Sequence, residues 1–403
     1  MENKHTMSDL YQMQSMSLND KIRMTKYRIK EWVNTYGEDG VYLSFSGGKD
    51  STVLGHIIRE ACGYKNIPFV FVDVPTQYPE LKQFAQTFDN IVILKPKISF
   101  AEVCENYGFP LFGKEIANCI DGARRYVKCL DSKNNSDIIS TDRQTDRQTE
   151  IPFAYRIADL IGIDRRADKE NKAFADLKMG NIPSEILKAP VRVKQLFGVK
   201  CKDFGSMYDR SKYLFMLNAP FEVSNQCCKV MKKQPMHQYN KDTGRVPITA
   251  QMASESKLRT SQWLQNGCNG FDLKIPTSNP MAFWTEQDVL LYIKENNLPI
   301  CSVYGNVITD YEAMGQCDNQ MSFADFGIFD NERPLLKTTG CQRTGCVLCG
   351  FGCHLEKEPN RFQMLKETHP KFHNLLYVLK NNGVTYAEAI DWVNEHGNMN
   401  IKY

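Results

Sequence analysis

The stretch VYLSFSGGKDSTVLGHIIRE, residues 41 to 60, holds an apolar run that stops in a small glycine-rich turn and is followed at once by a helical pattern. Such a succession confines this part of the chain to a strand, a tight turn and a helix. Two glycines let backbone N–H groups close around phosphate oxygens, and a helix from about Ser51 presents its positive end to them. Ser46 and Ser51 add hydroxyl donors, and Lys49 adds a charge. The turn is not the G-x-x-x-x-G-K-[ST] loop, because Gly48-Lys49 is followed by Asp50. It predicts an anion held at the end of a strand.

The surroundings extend the pattern. Residues 18 to 36 read as an amphipathic helix leading into a strand over Val41–Phe45. IPFVFVDVPTQYPE, 67 to 80, reads as a buried strand ending at Asp73, and NIVILKP, 90 to 96, as a third after a helical stretch. Alternating strands and helices predict a parallel sheet with crossover helices, in which ligands collect at the carboxyl ends of the strands. The glycine turn and Asp73 both lie at such ends. FWTEQDVLLYIKENN, 283 to 297, predicts a helix capped by Thr285 with Asp288 three residues later.

At 403 residues the chain has room for two domains, and 42% apolar residues allow a sizeable core. A net charge of +3 argues for neither nucleic acid nor membrane by itself. No stretch reaches the roughly 18 apolar residues of a spanning helix, and the polar start lacks the apolar core of a signal peptide. A cytoplasmic protein is expected. In a reducing compartment its fourteen cysteines are thiols rather than disulfides, and a tight group of them points to metal or redox chemistry. Two groups stand out: QCCKVMKKQPM, with adjacent Cys227 and Cys228, and CQRTGCVLCGFGCH, with Cys341, Cys346, Cys349 and Cys353. Four thiolates suit an Fe–S cluster or zinc. The tandem STDRQTDRQTE lies in a polar insertion over 131–175.

At SFSGGKDS the chain resembles the PP-loop ATP pyrophosphatase superfamily, whose signature S-G-G-x-D-S is matched by Ser46, Gly47, Gly48, Lys49, Asp50 and Ser51. The resemblance implies that these residues bind an adenine nucleotide, ATP with Mg²⁺ or an adenylyl compound, with Asp73 near the adenosine. The double cysteine and C-x-x-C are similar to those of assimilatory adenylyl-sulfate reductases in the phosphoadenosine phosphosulfate (PAPS) reductase family. This implies a [4Fe–4S] cluster on Cys227, Cys228, Cys346 and Cys349, with Cys341 as an alternative ligand and zinc as an alternative metal. FVFVDVPTQYPE, ESKLR and NPMAFWTEQDVLLYI resemble further family segments, and catalytic roles are implied for Lys49, Asp50, Lys232 and Arg259.

The fold expected is α/β, a Rossmann-like parallel sheet of PP-loop type with a cysteine-rich, mostly helical C-terminal region. The expected order is a helical lead-in over 1–39, a nucleotide-binding core over 40–130, the insertion, the core continued over 176–330, and the cluster segment with helices over 331–403. The family's reductases use a cysteine in E-C-G-L-H, whereas here no cysteine follows Cys353, leaving Cys353 as the substitute beside His354. Met231, Met252 and Ala253 stand where the family carries arginines, and Lys232 keeps its place.

The expectation is therefore a transferase of sulfur chemistry that adenylates an acceptor and releases pyrophosphate. The alternatives are a thiol-dependent reductase (an oxidoreductase) releasing sulfite, and a non-catalytic nucleotide-binding subunit. The implied partners are a nucleic-acid or small-molecule acceptor, a sulfur- or electron-donor protein, and a second copy in a homo-oligomer. Lys229, Lys232, Lys233, Arg245, Lys257 and Arg259 are candidates to line the acceptor's channel.

Overall fold

The computed structural model describes residues 3–138, 186, 188–199, 208–310 and 335–403. It divides into two compact units, each built from two stretches of chain: Met1–Lys97 with Met231–Cys346, and Ile98–Val230 with Val347–Tyr403.

The first unit is the α/β body. Its strands β1 (Val41–Phe45), β2 (Phe69–Val72) and β3 (Ile91–Leu94) run parallel, with Leu43 opposite Phe69 and Phe69 opposite Ile91. On the other side of β1 lies the parallel strand Val246–Ile248, followed by Thr277–Ser278 and the antiparallel Asn269–Gly270. The chain thus builds outward from β1 to β3 and later returns to the opposite flank of β1. That reversal opens a crevice at the carboxyl ends of two neighbouring strands, the position where sheets of this type bind ligands.

Helices α1 (Met7–Gln14), α2 (Leu18–Tyr36), α3 (Lys49–His56) and α4 (Pro79–Ala85) belong to this unit. The helix α2 spans the residues expected of it. Its buried positions Leu18, Lys21, Thr25, Ile29, Trp32 and Val33 recur every three or four residues and form one face toward the core. Each large apolar side chain buried there contributes about 1.5–3 kcal/mol. The buried lysine is matched: Lys21 Nζ stands 2.7 Å from Asp288 Oδ2, in the helix Glu286–Glu295. The same carboxylate accepts from Thr285 N–H at 2.8 Å and from the Thr285 hydroxyl at 2.7 Å, so the expected capping box also neutralises a core charge.

The second unit is mainly helical. It includes the helices Phe100–Tyr107, Lys114–Ile138 and Tyr386–Gly397, and a short parallel pair of Leu111–Phe112 with Gly350–Phe351. Arg124 is buried and donates to the carbonyls of Phe221, at 2.7 Å, and Ala219, at 2.9 Å, tying its helix to the loop before the double cysteine. The first part of the expected insertion, 131–138, continues the helix Lys114–Ile138, and 139–175 lie outside the described residues.

Candidate functional site

The strand β1 ends at Phe45 and α3 begins at Lys49, two residues earlier than the sequence suggests, so the turn between them is only Ser46, Gly47 and Gly48. Gly47 has φ +72°, a conformation that favours glycine, and a Cβ on it would lie 3.1 Å from the Leu81 carbonyl oxygen. The turn is closed by hydroxyl groups. Gly48 N–H donates to Ser46 Oγ at 3.2 Å, Ser51 Oγ lies 3.0 Å from Ser46 Oγ, and Ser51 donates to the Gly48 carbonyl at 2.9 Å. Lys49 N–H donates to the hydroxyl of Tyr304 at 3.3 Å, and that hydroxyl is 2.8 Å from Thr344 Oγ1. These hydroxyl oxygens take the acceptor role that an anion's oxygens would fill.

Lys49 is buried, and its ammonium lies 3.0 Å from Glu286 Oε1 and 3.9 Å from Asp50 Oδ1 and donates to the Gln342 carbonyl at 2.9 Å. Asp50 Oδ1 is buried and accepts no hydrogen bond among the described residues, while the buried Glu286 Oε1 is met by the Lys49 ammonium. Burial raises the Asp50 carboxyl above its ordinary pKa, and the nearby charge of Lys49 opposes it. Arg259 and Arg343 lie within electrostatic reach of the same carboxyl. Arg259 is itself held by Glu255, and its pKa is lowered first by burial and then by the charge of Arg343.

Ser46 to Ser51 form the turn and the start of α3, and Arg259 lies within electrostatic reach of Asp50. Asp73 follows the end of β2 and pairs with Lys82 at 2.7 Å. Lys232 is half-buried in the first unit, in the π-helical stretch Lys229–Lys233. Arg245 does not belong to a channel at this end of the sheet. It precedes the strand Val246–Ile248 and donates to the Val41 carbonyl at 2.9 Å, at the amino end of β1. Met231, Met252 and Ala253 are buried, so the positions that lack arginine pack into the protein interior.

Glu286, Tyr304, Gln342, Arg343 and Thr344 are additions that the sequence reading missed. Glu286 was visible inside WTEQDV, and Q-R-T was visible between two cysteines that drew attention to themselves.

Among the cysteines, Cys341 and Cys346 belong to the first unit and Cys227, Cys228, Cys349 and Cys353 to the second. Cys346 forms an isolated bridge with Gln77. Burial pushes the Cys341 thiol up to about 11, and Cys301 is the next cause. Among the described residues, no group of three or more His, Cys, Asp or Glu stands close enough to hold a metal ion. The donor set nevertheless suits a thiolate-bound centre in kind. Burial raises the pKa of the Tyr386 phenol, and Cys349, Cys104, Cys353 and Cys227 raise it further.

Cys353 is 2% exposed, and burial, then Glu356, push its thiol up to about 12. Its neighbour His354 shares a 2.9 Å hydrogen bond with Tyr213, and burial lowers its pKa. Among the described residues, no helix is long and apolar enough to cross a membrane.

Residues 40–149 and 166–350 match the family described as the phosphoadenosine phosphosulfate reductase domain. An adenosine 5'-phosphosulfate reductase of Burkholderia cepacia is 29% identical over 132 residues, 31% of this chain and 51% of that protein. The chain thus spans about half the length of this curated relative. A crystal structure of phosphoadenylyl-sulfate (PAPS) reductase from Candida auris, in a phosphate complex, aligns over 77% of this chain and 98% of that one, with 13% identity and a TM-score of 0.31.

Proposed function

Since the chain belongs to the phosphoadenosine phosphosulfate reductase domain family, we propose that it is an enzyme acting on the anhydride of an adenine nucleotide bound at Ser46–Ser51. The observation that carries this reading is the site at the β1 reversal, where a short glycine turn and the buried Lys49 stand beside the Asp50 carboxylate, with Arg259 and Arg343 within its electrostatic reach. Such a site neutralises a chain of anionic groups and leaves the α-phosphorus open to attack.

The reaction favoured is adenylation. An acceptor oxygen forms a bond to the α-phosphorus of ATP, the Pα–O–Pβ bond breaks, and pyrophosphate leaves with the electron pair. Lys49 and Arg259 offset the charge that develops on the leaving group. A sulfur nucleophile supplied by a donor protein then displaces AMP from the acceptor. Mg²⁺ would be held by Asp50 together with the nucleotide's phosphates, and the orphaned Asp50 Oδ1 fits that role. Lys232 is assigned to the acceptor side and Asp73 to the adenosine side.

An Fe–S cluster, or zinc, would be held by Cys227, Cys228, Cys346 and Cys349, with Cys341 as the substitute; an iron cluster would supply one-electron or sulfur-carrying chemistry. Iron and acid-labile sulfide analysis with the visible absorption spectrum of anaerobically purified protein tests it.

The second reading, reduction of a sulfonucleotide to sulfite, is favoured by the name of the curated relative. Against it stands Cys353, a buried thiol whose burial and neighbour Glu356 favour the protonated form over the thiolate that attacks sulfur. A product assay decides between the two. ATP, adenylyl sulfate and PAPS are each offered with Mg²⁺ and a thiol. Pyrophosphate from ATP without sulfite supports adenylation, sulfite from either sulfonucleotide supports reduction, and turnover of none supports a binding subunit.

A further inference from the structure

We infer that Arg343 is a binding residue of this site, which together with Arg259 grips a second anionic group beyond the one cradled by the glycine turn. The inference rests on the turn's being the nucleotide site, and it names the residue that selects ligands with two linked anionic groups over monophosphates.

Arg343 sits between two residues fixed to the turn. The carbonyl of Gln342 accepts from Lys49 Nζ at 2.9 Å, and Thr344 Oγ1 is 2.8 Å from the Tyr304 hydroxyl that caps the Lys49 N–H. The segment is held further by Cys341 N–H donating to Val303 O at 2.9 Å and Gly340 N–H donating to Tyr304 O at 2.8 Å. Arg343 therefore extends from an anchored loop, and its side chain is exposed. Its guanidinium makes no ion pair or hydrogen bond among the described residues.

Arg259 reaches the same place from the segment that follows the strand Val246–Ile248. The two guanidinium groups act on each other and on Asp50. Arg259 is already paired with Glu255, so Arg343 is the cation that remains for a second anionic group, and an anion within reach of both offsets their mutual repulsion. Paired guanidinium forks suit the several oxygens of a phosphate or sulfate group.

Isothermal titration of the wild type, Arg343→Ala and Arg343→Lys with inorganic pyrophosphate, ATP and AMP tests the inference. Arg343→Ala should weaken pyrophosphate and ATP by about 10- to 100-fold and AMP by less than about 3-fold. Arg343→Lys should fall between, because a lysine keeps the charge and loses the fork. Unchanged pyrophosphate and ATP affinity in Arg343→Ala, or an equal loss of AMP, overturns the role. Wild-type binding of pyrophosphate with no binding of ATP or AMP, accompanied by the loss in Arg343→Ala, retains Arg343 and rejects the nucleotide reading. Absence of wild-type binding to all three rejects both.

Discussion

Lys49 is 3% exposed, although a lysine ammonium strongly prefers water, because carboxylates and a carbonyl surround it. Replacing it with alanine should leave Asp50 and Glu286 facing each other without their shared cation. We expect Lys49→Ala to lower ATP affinity by about 100-fold or more, measured by titration calorimetry. Asp50 makes a prediction with a sign. Its carboxyl is held above the ordinary range chiefly by burial, so between its unfolded and folded pKa values the folded state binds more protons than the unfolded state. Ionising it therefore costs stability as pH rises through that window. Asp50→Asn should raise the Tm at pH 7, and the gap should narrow as the pH falls toward the unfolded value of about 3.9. An equal gap at every pH would rule out this account. At Cys353 the outcome separates reactions: Cys353→Ser should leave pyrophosphate release from ATP unchanged, and abolished turnover would restore the thiol to the mechanism.

The helix Glu286–Glu295 shows how one element serves both stability and site. Asp288 caps the helix and pairs with Lys21 in the core, while Glu286, two residues earlier, faces Lys49. Breaking the buried pair on one side leaves a charge without compensation, so Lys21→Ala should cost about 3–5 kcal/mol in denaturant unfolding. A loss below about 1 kcal/mol would mean that water reaches Asp288. In the second unit the strand pair around Gly350 has no room for a side chain. A Cβ there would lie 2.7 Å from the Tyr386 hydroxyl and 2.9 Å from the Pro110 carbonyl oxygen. These elements differ in how much of them local signals disclose. The helix α2, the strand β1 and the Thr285 capping box follow from periodicity and cap chemistry, which act over a few residues. The meeting of Lys21 with Asp288, 267 residues apart, has no local signal.

At the scale of the molecule, the chain passes from the first unit to the second after Lys97, returns at Met231 and leaves again after Cys346. The proposed nucleotide site, from Ser46 through Arg259 to Thr344, is built within the first unit. Ligand binding should therefore stabilise that unit by mass action, by about 2.7 kcal/mol at a ligand concentration 100 times Kd. A calorimetric scan with Mg–ATP should show a rise in its transition.

The sequence by itself determined the mostly parallel sheet, the glycine turn between β1 and α3, and the family, because each depends on short runs whose chemistry is local. Which further groups join the turn's own lysine and serines was decided only by tertiary structure. The return of the chain to the far flank of β1 brings Arg259 alongside, and the loop after Thr338 delivers Gln342, Arg343 and Thr344. No spacing of residues encodes such an approach, because it arises from the packing of separate segments around one buried sheet.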